Sequence, residues 1–177
     1  MEIKDSLSYR TATIDDVELL TRTRVKFLTV ARENVTDSQN AELYAHNKAY
    51  FEESLKDDTF AAFFAFDGKR LAGTSGVNFY KVPPNLMNKT GDVAHISNMF
   101  TKPEYRGRGV ATHLFNMTVE EARRRGCGRL ELHATDMGRP IYEKYGFFAP
   151  DDVMEYYFDS QVTACCAQEV RKVSIEE

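Results

Sequence analysis

The six residues Arg106-Gly107-Arg108-Gly109-Val110-Ala111 have the types and spacing to hold an anion, and an amphipathic run begins directly behind them. A helix N-terminus exposes unpaired N–H groups and a partial positive charge. Side chains with Cβ atoms would keep a bulky anion away from those groups. Gly107 and Gly109 remove that obstacle and accept left-handed backbone angles. Successive N–H groups can then converge on one cluster of oxygens, with Arg106 and Arg108 adding charge at the rim. The chemistry is that of a phosphate or pyrophosphate cradle. A solvated glycine turn with incidental arginines is the plain alternative. A Walker loop does not fit, because no lysine follows the second glycine; nor does a Rossmann loop, because Thr112 stands where the third glycine belongs.

A second group of residues could move protons. In Leu130-Glu131-Leu132-His133 the alternation of a strand sends the leucines to one face and Glu131 and His133 to the other. Histidine titrates at about 6.5 when unperturbed, which suits a base near neutrality. His95, on a neighbouring strand, is a further candidate. For each of these side chains a surface or hydrogen-bonded structural role competes with catalysis, and a water chain could carry the proton instead.

These residues need a scaffold, and a chain of 177 residues fits one domain with room for a core. Hydrophobic residues at 42% and charged residues at 28% give a globular balance. The net charge of −4 counts against a nucleic-acid binder, whose phosphate contacts leave a basic footprint. The longest apolar run, residues 60–66, is too short to span a bilayer, and the first ten residues lack the apolar stretch of a signal peptide. Cys127, Cys165 and Cys166 form no C-x-x-C and have no histidine at metal-ligand spacing. Reduced thiols in a cytoplasmic protein are therefore expected, with no membrane and no metal.

The patterning predicts an alternation of strands and helices. Residues 7–12 read as a strand, and Thr13 with Asp16 has the form of a capping box. The helix behind it should turn Ile14, Val17, Leu20, Val25, Leu28 and Ala31 inward. Thr36 caps a second helix. Residues 59–66 and 71–80 make a hairpin around Asp67 and Gly68, and residues 82–91 form a proline-bearing loop. Residues 93–101 are a strand stopped by Pro103. From Val110 the spacing is helical, with Val110, Ala111, Leu114, Phe115, Thr118 and Ala122 on one side, until Gly126 and Gly128 end it. Residues 129–134 read as a strand, 140–145 as a short helix closed by Gly146, and 154–158 as a last strand. The strand–helix–strand unit of residues 93–134 should be a parallel crossover in a mixed sheet.

Arg106-Gly107-Arg108-Gly109-Val110-Ala111 resembles the R/Q-x-x-G-x-G/A signature of the GNAT superfamily of acetyl-CoA-dependent N-acetyltransferases, and Pro103-Glu104-Tyr105 is similar to that family's approach to it. Further on, Ile141-Tyr142-Glu143-Lys144-Tyr145-Gly146-Phe147 is similar to the family's Leu-Tyr-Glu-Lys-Leu-Gly-Phe segment. A helix and a strand separate the two signatures, as in the family, and the predicted element order matches over residues 7–158. The resemblance implies an α/β (α+β) fold: a mixed, mostly antiparallel sheet with a central parallel βαβ crossover, flanked by helices. It implies a domain over residues 1–160, with residues 161–177 as a C-terminal appendage of the same single domain.

The resemblance also implies the ligand and the chemistry. The pyrophosphate of acetyl-CoA would sit on the amides of Arg106, Gly107, Arg108, Gly109, Val110, Ala111 and Thr112. The pantetheine arm would run along Met99, Phe100 and Thr101, where a backbone N–H near Met99 or Phe100 would face the thioester oxygen. Tyr142 matches the family's general acid for the departing thiolate, with aromatic packing as its rival role; Tyr145 is assigned to structure. The acceptor ammonium, at about 10.4, must lose a proton first. His133 is the preferred base, with Glu131, which matches a glutamate in some relatives, and His95 beside it. Relatives often carry an asparagine seven residues before the tyrosine; Thr135 stands there, so that role is not carried over. The implied partners are acetyl-CoA, as cosubstrate, and an amine-bearing acceptor. A homodimer stays open, and a non-catalytic acyl-CoA-binding sensor on the same fold is the competing function.

Overall fold

The computed structural model describes residues 7–30, 35–150, 153–154 and 158. In chain order it contains β1 (Leu7–Thr11), α1 (Val17–Val30), α2 (Asp37–Lys56), β2 (Phe60–Asp67), β3 (Arg70–Lys81), β4 (Asp92–Thr101), α3 (Val110–Arg124), β5 (Arg129–Leu132) and α4 (Arg139–Tyr145). The chain falls into two compact units, Met1–Thr135 and Asp136–Glu177. The first holds the sheet with α1, α2 and α3; the second holds α4. No described helix is long and apolar enough to cross a membrane.

The sheet order is β1-β2-β3-β4-β5, antiparallel at every junction except β4–β5, which is parallel. The mixed, mostly antiparallel α/β fold and its β4–α3–β5 crossover are thus the ones read from the sequence. Alternation along β2 builds two cores. Ala61, Phe63 and Ala65 point to one face, where Val77 and Ala94 join them against Val110, Leu114 and Ala122 of α3. Phe60, Ala62 and Phe64 point to the other, against Val17 and Leu20 of α1 and Phe51 of α2. Both faces of β2 are therefore buried, which explains its unbroken run of apolar residues.

Turns and caps follow local chemistry. The β2–β3 hairpin closes over Gly68 and Lys69, with Gly68 at φ +57°. Thr36 caps α2, its Oγ1 accepting from the Gln39 N–H at 3.2 Å while the Thr36 N–H donates to Gln39 Oε1 at 2.9 Å. The end of α3 is tied to the α2–β2 turn by Arg125, which donates to Glu121 at 2.7 Å and to the Asp58 carboxylate at 2.6 Å. Its guanidinium lies 4.0 Å over the Phe79 ring.

Three expectations need correction or bounding. Ile14 does not face inward with α1; it is 44% exposed in a 3-10 turn, Ile14–Asp16, ahead of the helix. Arg10 grips both Asp16 oxygens at 2.7 Å while the Thr13 N–H donates to one of them, so the capping box closes this tight turn instead of the first α-helical turn. The strand expected over residues 129–134 stops at Leu132, leaving His133 just beyond its end. Ala31, most of the strand expected over residues 154–158 (Met154 itself lies in no regular element), the appendage at 161–177, Cys165 and Cys166 lie outside the described residues.

Candidate active site

The glycine stretch is held open from below. After β4, Pro103 starts a 3-10 turn, Pro103–Tyr105, and the Lys102 N–H donates to the Ala72 carbonyl at 2.9 Å. Tyr105 is buried, and its hydroxyl donates to Asp67 at 3.1 Å. Arg108 lies 5.3 Å over the Tyr105 ring. Gly107 and Gly109 both occupy left-handed angles, φ +72° and +79°, and Gly109 is the N-cap of α3. A Cβ on either would meet no protein atom within 4 Å. The glycines therefore answer two demands, a turn that disfavours L side chains and clear space above the first turn of a helix. No side chain caps α3, so its first N–H groups face that space. Arg106, Arg108 and Thr112 are exposed around it, while Val110 is buried and Ala111 half-buried beneath.

The strand leading to the cradle is irregular where it matters. Between the pairs Gly76–Ser97 and Thr74–Phe100, two steps of β3 span three of β4, so β4 carries an extra residue. Asn98 absorbs it at φ +55°, an angle asparagine tolerates better than most residues. On its other side β4 pairs with β5 only from Val93 to Ile96. Ser97, Asn98, Met99, Phe100 and Thr101 continue without a strand partner on the β5 side among the described residues. The free edge of Met99, Phe100 and Thr101 runs straight into the glycine cradle.

The proton-handling candidates meet in one cluster. His95 and Glu131 are register partners across β4 and β5, with Nδ1 and Oε1 3.4 Å apart. The His133 ring lies 5.4 Å from that of His95. The Tyr80 hydroxyl donates to the Glu131 carboxylate, and Arg129 sits 3.0 Å from its other oxygen. Burial pushes the Glu131 carboxyl up, but the Tyr80 hydrogen bond, the Arg129 charge and His95 together outweigh it, and the group lies below its ordinary value. Glu131 is thus held ionised. Tyr80, Arg129 and Asn98 were not singled out in the sequence; only the strand register could have found them.

In the second unit, α4 places Tyr142 at 6% exposure, 6.0 Å from the Phe147 ring. Gly146, at φ +109°, ends the helix by donating to the carbonyls of Tyr142 and Glu143. Burial pushes the Tyr142 phenol up, keeping it protonated at neutral pH. Tyr145 is 41% exposed and packs 6.2 Å from Phe147.

Among the described residues, the sheet thus ends along one strand edge in front of a glycine-capped helix. The chain belongs to the GNAT acetyltransferase family, whose model matches residues 27–147, and its class is that of an acyltransferase. Among solved structures it is similar to a predicted acetyltransferase from Clostridium acetobutylicum crystallised with acetyl-CoA. The two share 32% identity and a TM-score of 0.78, over 85% of this chain and 96% of that one. Among curated proteins it is 29% identical over 85 residues to glucosamine 6-phosphate N-acetyltransferase of Trypanosoma brucei brucei, covering 48% of this chain and 56% of that protein. It is 27% identical over 66 residues to thialysine N-epsilon-acetyltransferase of Mus musculus, covering 37% of this chain and 39% of that protein. The chain thus spans little more than half the length of the first of these curated relatives and less of the second.

Proposed function

We propose that this protein transfers the acetyl group of acetyl-CoA directly to a primary amine. The observation that carries the reading is the continuity of the unpaired β4 edge with the cradle at Gly107 and Gly109. The pyrophosphate would be held on the amides from Arg106 to Thr112, and the pantetheine arm would pair with Met99, Phe100 and Thr101. A bulge frees backbone N–H groups from the ladder, and one at Met99 or Phe100 would hold the oxyanion.

The acceptor ammonium first gives a proton to the histidine pair, His133 foremost, with the ionised Glu131 stabilising the positive charge that forms there. The freed amine nitrogen attacks the thioester carbon and the carbonyl electrons move onto oxygen. As that intermediate collapses, the C–S bond breaks, the nitrogen passes its second proton to solvent and the amide forms. The departing thiolate takes a proton from the Tyr142 hydroxyl, which is restored from solvent. Burial of Tyr142 supports this assignment by keeping the proton in place until the thiolate develops.

The catalytic domain in this reading spans residues 1–160, with residues 161–177 as an appendage. The reading keeps the cytoplasmic setting expected from the sequence. The curated relatives include enzymes named for an amino-sugar phosphate and for thialysine, so both types of amine belong in the first acceptor screen. Acceptor-dependent release of free CoA is the test. Release with at least one amine supports transfer, whereas tight CoA binding without release by any amine supports a sensor.

A further inference from the structure

Arg24, on α1, is half-buried against the sheet, and among the described residues no carboxylate pairs with it. It lines a closed crevice with Thr23, Phe27, Thr74, Asn98 and Phe100. Two other polar groups there lack partners. Thr74 is 2% exposed and its hydroxyl makes no hydrogen bond. Asn98 is 7% exposed, and its side chain makes no hydrogen bond among the described residues. A buried polar group without a partner costs about 1–3 kcal/mol, and a desolvated cation without an anion costs more. Of the three, the Thr74 hydroxyl is the fully buried one, and a buried hydroxyl without a partner beside a half-buried guanidinium is unusual in a folded protein.

We infer that Arg24, with Asn98 and Thr74, binds an anionic group of the acceptor, so that the acceptor is a small amine bearing a carboxylate or a phosphate. The inference rests on the acetyl-transfer reading and narrows its substrate class. A guanidinium, an amide and a hydroxyl are all donors, and one anionic group satisfies all of them. Asn98 and Phe100 belong to the same stretch of β4 that would flank the thioester, so the anion would be held within a few bonds of the reacting amine. Burial pushes the Arg24 guanidinium below its ordinary value, as befits a cation short of an anion. The walls stand too close for a water molecule, so an anion would bind there only with the Arg24 and Phe27 side chains turned outward.

The test compares matched acceptors by CoA release: an α-amino acid against its methyl ester, and an amino-sugar phosphate against the free amino sugar. The expected result is a preference of about tenfold or more in kcat/KM for the anionic member of at least one pair, the pair showing whether carboxylate or phosphate is read. Arg24→Met should abolish that preference and Arg24→Lys should keep part of it, both with unchanged acetyl-CoA affinity. Thr74→Val should weaken it without loss of thermal stability. In a parallel arm, inorganic phosphate and acetate are titrated calorimetrically into protein saturated with CoA, and Arg24→Met should remove the binding. If no amine releases CoA yet Arg24-dependent anion binding persists, acetyl transfer fails and the anion site stands. Equal use of charged and neutral acceptors, a preference that survives in Arg24→Met, or the absence of both CoA release and Arg24-dependent anion binding overturns the inference.

Discussion

His95 and Glu131 oppose each other across the only parallel junction of the described sheet, with Nδ1 and Oε1 3.4 Å apart and the His133 ring 5.4 Å from His95. If this cluster removes the acceptor proton, kcat/KM falls on an acidic limb governed by histidine ionisation. His133→Gln should lose that limb and most of the rate, while Glu131→Gln retains the limb. Profiles must use one acceptor throughout, since the amine itself titrates. Wild-type rates and profiles in both variants would place the base elsewhere, at His95 or in ordered water.

Gly109→Val should weaken acetyl-CoA binding by on the order of tenfold or more, the equivalent of one lost charge-assisted hydrogen bond. The protein leaves open space over Gly109, so the effect arises from a φ of +79° that valine resists and from a side chain standing where the ligand would lie. Calorimetric titration of the folded variant measures it; an unchanged dissociation constant removes the cradle from the binding site.

Tyr142→Phe keeps the buried ring and removes only the hydroxyl. It should lower kcat by about 10²-fold with little change in acetyl-CoA affinity. Steady-state kinetics would return Tyr142 to a packing role if kcat were unaltered.

Glu121 accepts from Arg124 at 2.7 and 2.8 Å and from Arg125 at 2.7 Å. The Arg124 hydrogen bond, against burial and with help from Arg125, holds its carboxyl at about 2 rather than 4.5. A lowered carboxylate contributes stability above its unfolded value, and loses it as pH falls through the folded one. Glu121→Gln should therefore cost roughly 1–2 kcal/mol at neutral pH, allowing for solvent screening of Arg124. The difference from wild type should shrink as pH drops from about 4.5 to about 2. Urea unfolding across that range reads it, and a pH-independent difference would show that Glu121 stabilises by packing alone.

The cradle was legible because glycine is the residue type that the left-handed angles at 107 and 109 favour, and such a demand is written in composition. Strands and helices were legible from period alone. The bulge was not, since Asn98 becomes a left-handed residue only through the register of β4 against β3. Ile14 was misplaced for a related reason: its orientation depends on Arg10 holding Asp16, a contact from the preceding strand. Arg24 was invisible among Arg22, Lys26 and Arg32, a run that reads as an ordinary charged surface. Which of these cations is turned toward the sheet is decided by tertiary packing.

The open edge of β4 has a thermodynamic consequence. Among the described residues, 97–101 have no strand partner on the β5 side, so that stretch of the described sheet ends in an edge. An exposed edge is a template for pairing with another chain, and a pantetheine arm lying along it would close that template. Acetyl-CoA would then act as a folding ligand as well as a reactant, adding about 2.7 kcal/mol of stability at a concentration 100 times its dissociation constant. The melting temperature should climb with CoA concentration, and heat-induced aggregation of the unliganded protein should be suppressed in parallel. The cell's acetyl-CoA level would in this way set how much of the enzyme survives, besides how fast it works.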